Sequence, residues 1–268
     1  MLNLRITDQI GRELAFHLPP RRIVSCVPSQ TELLYDLGLH YSIVGVTKFC
    51  IHPSIARQNK AVVGGTKNLQ LEKIAAQNPD FVLANKEEND KASIEWLAAR
   101  FPTYVSDVRS LEQALKMIRD VGEICDCSIQ ATQISRIIND RFSNIPAPTN
   151  RTKVAYIIWQ NPWMTINSDT FIHDMLHRIG CDNVFSGMVE SRYPTINAEQ
   201  IRQANPRFIF LSSEPFPFQK KHLAQFNDLF PKSQTLLVDG EMFSWYGSRL
   251  QFFNTHFLAE KIEYRDNM

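Results

Sequence analysis

The spacing of apolar positions along this chain switches repeatedly between a period of two and a period near 3.6. Leu4 to Ile6 and Glu13 to Leu18 alternate as short strands, and Asp8-Gln9-Ile10-Gly11 supplies turn residues between them. That pattern predicts a hairpin, ended by Pro19 and Pro20. Arg22 to Val27 reads as a short buried strand. Pro28-Ser29 and a helical stretch from Gln30 to Leu37 follow, stopped by Gly38, with Ser29 as the N-cap and Glu32 as its capping-box acid. Val44 to Thr47 and Phe81 to Ala84 are further strands, and Leu71 to Gln77 is helical between them. Repeated switching of period predicts α/β units on a mainly parallel sheet.

The middle of the chain reads differently. Leu111, Ala114, Leu115, Ile118, Val121 and Ile124 mark one amphipathic helix, which Asp126-Cys127-Ser128 interrupts. Ile134, Ile137, Ile138 and Phe142 carry a second helix to about Ile145. Pro146-Ala147-Pro148 closes it, and Val154 to Trp159 opens a new strand. A long helix and a proline-rich break at mid-chain predict a domain connection. The expected division is an N-terminal lobe over 1–127, a connecting helix over 128–147 and a C-terminal lobe over 148–268.

An internal repeat supports two lobes. Glu72-x-Ile74 leads to Asn78-Pro79-x-Phe81-Val82-Leu83, and Glu199-x-Ile201 leads to Asn205-Pro206-x-Phe208-Ile209-Phe210, each pair offset by 127 positions. Leu34-x-x-Leu37-Gly38 echoes Leu176-x-x-Ile179-Gly180 at a different offset. Two α/β lobes joined by a helix predict a ligand cleft between them.

Composition narrows the function classes. Lys plus Arg number 29 against 28 acids, a net charge of +1, with no concentrated basic stripe, so a nucleic-acid partner is not indicated. No apolar run is long enough for a spanning helix. The five cysteines, Cys26, Cys50, Cys125, Cys127 and Cys181, lack paired spacing and read as reduced, small apolar residues. With no signal-peptide pattern at Met1 to Asp8, the expected placement is cytoplasmic.

Large aromatics gather at predicted strand ends in the second half. They include Trp159 and Trp163, Tyr193, Phe216 and Phe218, and Phe243, Trp245 and Tyr246, with Arg249 close behind. Loops at the carboxyl ends of parallel strands are where such sheets meet ligands. Two readings stand: an aromatic wall for a bulky ligand, with Arg249 meeting an acidic group, or core aromatics beside a structural arginine. His173-Asp174-Met175-Leu176-His177 resembles the H-E-x-x-H zinc helix, but Asp174 is too short for the general base and no third ligand is signalled. Cys50-x-His52 at a strand end reads as a packing pair or as a ligand to a metal centre brought in with a bound molecule. No nucleophile elbow, P-loop or dinucleotide fingerprint is present, and no catalytic residue is assigned.

The stretches Arg22 to Leu34, Val44 to Thr47, Val63-Gly64-Gly65, Asn68 to Glu72 and Asn78 to Leu83 resemble the helical-backbone substrate-binding proteins of ABC importers. These capture cobalamin, ferric siderophores or haem, and the resemblance runs from about Ile6 to Ile262, nearest the cobalamin branch. It implies two Rossmann-like lobes joined by one long backbone helix. It also implies a monomer that binds a metal chelate as ligand, without intrinsic cofactor or catalytic metal. By position, the ligand would meet Pro28, Ser29 and Phe49 of the first lobe, and Trp159, Trp163, Tyr193, Trp245, Tyr246 and Arg249 of the second. Glu72 and Glu199 would dock on an ABC permease in the envelope. Thr66-Lys67 departs from the cobalamin branch, which offers an aromatic there, so Lys67, Lys86 and Arg249 leave an anionic chelate open. The alternative from another class is a cytoplasmic enzyme or chaperone handling tetrapyrroles or metals on the same fold.

Overall fold

The computed structural model describes residues 3–17, 19–146, 150–188 and 191–257. Leu18 of the predicted hairpin, Ala147 and Pro148 of the predicted break, and the far end of the predicted second lobe lie outside the described residues. The chain forms two units. One comprises Met1–Val108, Glu112–Asn139 and Tyr246–Gln251, and the other Arg109–Leu111, Asp140–Trp245 and the chain from Phe252.

In the first unit, β1 (Asn3–Thr7) and β2 (Glu13–His17) form the antiparallel hairpin, in register from Asn3↔His17 to Thr7↔Glu13. Its turn is closed by buried Asp8, whose carboxylate accepts from the amides of Ile10 and Arg12 and from the Arg12 guanidinium. The main sheet contains β3 (Ile23–Ser25), β4 (Ile43–Val46) and β5 (Ala61–Val62), then β8 (Phe81–Asn85) and β9 (Thr103–Ser106). Its order is β5-β4-β3-β8-β9, and every pairing is parallel. The connections are α1 (Pro28–Asp36), short α2 (Ala56–Asn59), the ribbon of β6 (Gly64–Gly65) and β7 (Asn68–Leu69), α3 (Leu71–Ala76) and α4 (Lys91–Ala98). Val24, Val82, Ala84, Val105, Ile74 and Leu97 pack together, each fully buried. Burying each of the valine, isoleucine and leucine side chains contributes about 1.5–3 kcal/mol.

One local expectation is corrected. Val27, not Ser29, is the N-cap of α1, and Pro28 occupies the first helical turn. Proline is well placed there because its missing N–H would have had no intrahelical acceptor. Ser29 is already helical, no side chain caps the end, and Glu32 is free to reach elsewhere.

The mid-chain helices are α5 (Leu111–Ile124) and α6 (Ser128–Ser143). Asp126 between them adopts φ 54°, the left-handed conformation that ends one helix and redirects the chain. The passage between units falls inside α6, after Asn139.

The second unit carries β10 (Thr152–Trp159), β11 (Trp163–Thr165), α7 (Phe171–Arg178), β12 (Cys181–Asn183), β13 (Thr195–Ile196), α8 (Ala198–Ala204), β14 (Phe208–Ser212), α9 (Lys220–Leu229), β15 (Gln234–Val238) and α10 (Gly240–Ser244). Its sheet runs β13-β11-β10-β14-β15, with β12 also on β10. Strands β12, β10, β14 and β15 are parallel, while β11 and β13 join antiparallel. Ala155, Ile157, Ile209, Leu211, Ile201 and Phe226 form its core.

The repeat is a repeat of geometry. Helix α3 ends before Asn78 at φ 47° and α8 ends on Asn205 at φ 46°, so each asparagine takes the left-handed conformation, and proline follows both. The next residue then enters a parallel strand by the same bond: Asp80 N–H donates to the Arg22 carbonyl and Arg207 N–H to that of Lys153. Gly38 and Gly180, at φ 82° and 85°, end α1 and α7 alike.

Candidate functional site

The carboxyl ends of the first unit's strands lead into four loops held by a buried polar network. Asn85 donates its Nδ2 to Ser106 Oγ and to the Ser106 carbonyl, at 2.9 and 3.1 Å, and Gln30 donates to Ser106 Oγ at 2.6 Å. Asn89 ties two further segments by donating to the carbonyls of Cys26 and Thr66, both at 3.0 Å. Sequence reasoning missed Gln30, Asn85, Asn89 and Ser106. Their signal was a polar residue ending an apolar strand run, as Asn85 ends Phe81-Val82-Leu83-Ala84. Such buried amides hold a loop rigid because every donor left unpaired would cost about 1–3 kcal/mol.

On this frame Pro28 is half-buried and Ser29 buried, while Phe49 is 50% exposed, with Lys48 Nζ 5.0 Å from its ring centroid. Tyr246 and Arg249, expected in the second lobe, belong to the first unit. A Cβ on Gly247 would lie 2.7 Å from the Ser29 carbonyl oxygen, so only glycine allows this segment to approach α1 so closely. Arg249 donates from Nε and Nη2 to both carboxylate oxygens of Glu32, at 2.9 and 2.8 Å. The acidic group it meets is therefore an internal one. Burial pushes the Glu32 carboxyl up even against the pull of Arg249.

The other cations considered for an anionic ligand are engaged in the same way. Lys86 pairs with Asp107 at 2.9 Å, and the Lys67 ammonium donates to the Glu87 carbonyl. Buried Cys50 lies 3.1 and 3.3 Å from the hydroxyls of Thr31 and Thr47, and burial raises its thiol. That is the environment of a packing cysteine.

In the second unit, β10 ends on Trp159, which is 40% exposed with its ring edge-on to Phe216 at 5.7 Å. Trp163 turns the other way. Its ring packs at 4.9 Å from Phe226 and 5.9 Å from Phe230, against the core. Tyr193 is half-buried ahead of β13. Trp245 is buried, and its indole N–H donates to Glu214 at 3.0 Å. Glu214 also accepts from Ser244 Oγ at 2.5 Å, tying the end of β14 to α10. A Cβ on Gly240 would stand 2.4 Å from Glu214 Cγ.

Burial raises the Glu214 carboxyl, helped by Glu241 and Asp239 and opposed by the bonds from Ser244 and Trp245. A folded-state value above the unfolded one means that ionisation destabilises the fold: the contribution is present at low pH and lost as pH rises through the folded value. Glu214→Gln keeps an acceptor for both donors and removes the charge. Its melting temperature is expected to exceed that of the wild type at pH 7 to 8, with the difference closing towards pH 4. A difference independent of pH would refute this assignment.

The zinc-like helix holds no metal arrangement, and no cluster of three metal-ligating side chains occurs among the described residues. His173 and His177 stack at 6.2 Å, and Arg151 Nη2 stands 2.9 Å from His177 Nε2, placing a cation where a metal would bind. Asp174 instead accepts from the Leu111 amide and from Arg178. Glu72 and Glu199 are exposed in the first turns of α3 and α8, Glu199 beside Arg202 at 3.4 Å. No helix among the described residues is long and apolar enough to cross a membrane.

Comparison with known proteins agrees with this architecture. A periplasmic binding protein family model matches residues 23–233. The vitamin B12-binding protein of Vibrio parahaemolyticus serotype O3:K6 is 26% identical over 198 residues, covering 72% of this chain and 71% of that protein. YvrC of Bacillus subtilis, an uncharacterized ABC transporter substrate-binding lipoprotein, is 27% identical over 213 residues, covering 75% of this chain and 66% of that protein. The periplasmic heme-binding protein RhuT from Roseiflexus sp. RS-1, in apo form, superposes with a TM-score of 0.77 at 18% identity, over 89% of this chain and 97% of that one. The cytoplasmic placement read from the N-terminus finds no support among these periplasmic and lipoprotein relatives. With a repeated two-unit α/β architecture and a match over most of its length, the chain belongs to the periplasmic binding protein family.

Proposed function

We propose that this chain is a non-catalytic binding protein for a bulky metal chelate of low net charge, cobalamin-like, and that it delivers this ligand to an ABC permease in the cell envelope. The observation that carries the reading is the pairing of exposed aromatics with engaged cations. Phe49 and Trp159 present rings at the carboxyl-end loops of their sheets, while Arg249, Lys86 and Lys67 are held by Glu32, Asp107 and the Glu87 carbonyl. Aromatic faces with few free charges suit a large, mostly apolar ligand with a neutral rim. An anionic haem or carboxylate siderophore would find these three cations already held, with Lys48 beside Phe49 as the cation left at that loop. Relatives named for vitamin B12 binding support the same choice. Glu72 and Glu199, exposed on the repeated helices, are the proposed permease contacts.

Tryptophan fluorescence titrated with cyanocobalamin, haemin and a ferric siderophore panel, corrected for inner-filter absorption, tests the proposal. Saturable quenching by cyanocobalamin is expected. Trp159→Ala should weaken it at least about tenfold, since an aromatic ring buries large apolar area on contact. Tighter binding of haemin would transfer the proposal to the heme-binding branch. Quenching by none of the ligands would overturn it.

A further inference from the structure

We infer, on the chelate reading above, that Glu214 sets the charge selectivity of the second unit's part of the ligand surface. It accepts from a carboxamide N–H on the ligand's rim and turns away a chelate that carries a carboxylate at that point. Glu214 lies two residues beyond β14, at the carboxyl ends of the parallel strands. Close by, Phe216 donates its amide to the Ile158 carbonyl at 3.2 Å, and its ring meets exposed Trp159 edge-on at 5.7 Å. The carboxyl thus stands beside the ring proposed to touch the ligand.

Its position is fixed from several sides. Ser244 Oγ and the Trp245 indole N–H both donate to Oε1, at 2.5 and 3.0 Å. With both bonds on one oxygen, the half-buried side chain is held while Oε2 has neither a hydrogen-bond partner nor an ion pair among the described residues. Behind it, a Cβ on Gly240 would lie 2.4 Å from Glu214 Cγ and 2.6 Å from Ser212 Oγ, so glycine lets α10 begin this close to the carboxyl. Ser212 Oγ accepts from the Tyr156 hydroxyl at 3.1 Å and donates to the Glu214 carbonyl at 2.6 Å, which fixes the backbone as well.

Tying Ser244 to Trp245 needs one acceptor oxygen, which an uncharged amide would supply. The chain instead keeps an acid whose ionised form is opposed by burial and by Asp239 and Glu241, with Tyr156 the titratable group facing it from β10. A carboxylate held there against its own solvation acts on what approaches it. Towards an N–H, Oε2 offers a charge-assisted acceptor. Towards a carboxylate it presents like charge in partly dry surroundings, and Asp239 and Glu241 add to the repulsion. Selectivity of this kind comes from the element that repels the wrong ligand as much as from the contact that holds the right one.

Tryptophan-fluorescence titration with cyanocobalamin and with its singly hydrolysed derivatives, each with one rim carboxamide turned into a carboxylate, tests this at neutral pH. Size and aromatic contact are the same across the set, so the affinities differ through charge. The intact chain is expected to bind cyanocobalamin at least about tenfold more tightly than at least one derivative. In Glu214→Gln that preference should fall to about twofold or less, because the amide keeps an acceptor for Ser244 and Trp245 and removes the charge. Circular dichroism and a melting curve establish that the variant is folded. A Glu214 that served structure alone would leave the ratio of affinities where it was. An unchanged ratio in Glu214→Gln, or no preference in the wild type, would overturn the inference and leave chelate binding in place. No binding of cyanocobalamin at all would overturn the chelate reading and this inference with it.

Discussion

Replacing Arg249 with alanine is expected to destabilise the first unit by about 2–3 kcal/mol at pH 8 and by far less at pH 4. The two side chains are 22% and 13% exposed, so the loss belongs at or below the lower end of what breaking a buried pair causes. Burial already raises the Glu32 carboxyl with the guanidinium in place, and removing Arg249 takes away the strongest opposing influence. Folded Glu32 would then hold its proton to higher pH than in the unfolded chain. Stability therefore falls as pH rises through the folded value, and the deficit disappears below the unfolded one. Urea unfolding of wild type and variant across this range measures it directly. Glu32→Gln in the Arg249→Ala background should recover most of the loss at pH 8, because the amide carries no charge to strand. An equal loss at both pH values would mean that packing, not charge, holds the segment. A variant with wild-type stability but no chelate binding would return Arg249 to the ligand.

The Gly122→Ala variant is expected to lose about 2 kcal/mol, even though alanine gains about 1 kcal/mol over glycine in a helix. Helices α5 and α6 cross so closely at this point that a Cβ on Gly122 would lie 2.3 Å from Ala131 Cβ, and Ala131 is fully buried. Neither carbon has a rotamer to escape through, so the helices must separate by more than 1 Å at the tightest point of the hairpin. The Cys127 amide, which donates to the Gly122 carbonyl at 2.8 Å, would be strained with them. Gly122→Ala combined with Ala131→Gly should restore much of the loss, since one methyl then occupies the gap that one methyl occupies now. A melting temperature for Gly122→Ala at or above that of wild type would show that the hairpin yields without penalty.

Much of the architecture was legible because it is local. The short apolar runs from Phe81 and Phe208, and the Asn-Pro pairs before them, specify a helix end, a left-handed residue and a strand whatever the rest of the chain does. The 127-residue offset showed that this unit occurs twice, and both copies open a parallel strand through the same backbone bond. Helix α4 and strand β9 escaped notice because Lys91 to Ala98 and Thr103 to Ser106 are short and weakly periodic. The candidate site was legible as a list of residue types and much less as an arrangement. Trp159 and Trp163 are alike in sequence, flanking the same proline, yet one ring is exposed and the other lies against Phe226 and Phe230. Which face a side chain takes after a loop depends on strand register, and β11 pairs with β10 across an irregularity that no periodicity announces.

The sequence alone thus determined the fold class and the duplicated unit, because periodicity and turn chemistry act over a few residues and are written consecutively, while the family entered through the resemblance of whole stretches of sequence. Tertiary structure alone decided where the charges go. Glu32 and Arg249 lie 217 positions apart and become a bidentate pair only when the Tyr246–Gln251 segment returns to the first unit through Gly247. The cations of the second unit, scattered from Arg151 to Lys232, share one hollow only because parallel strands begin at a common edge. Electrostatic partners are chosen by distance and burial, and a linear order of residues contains neither.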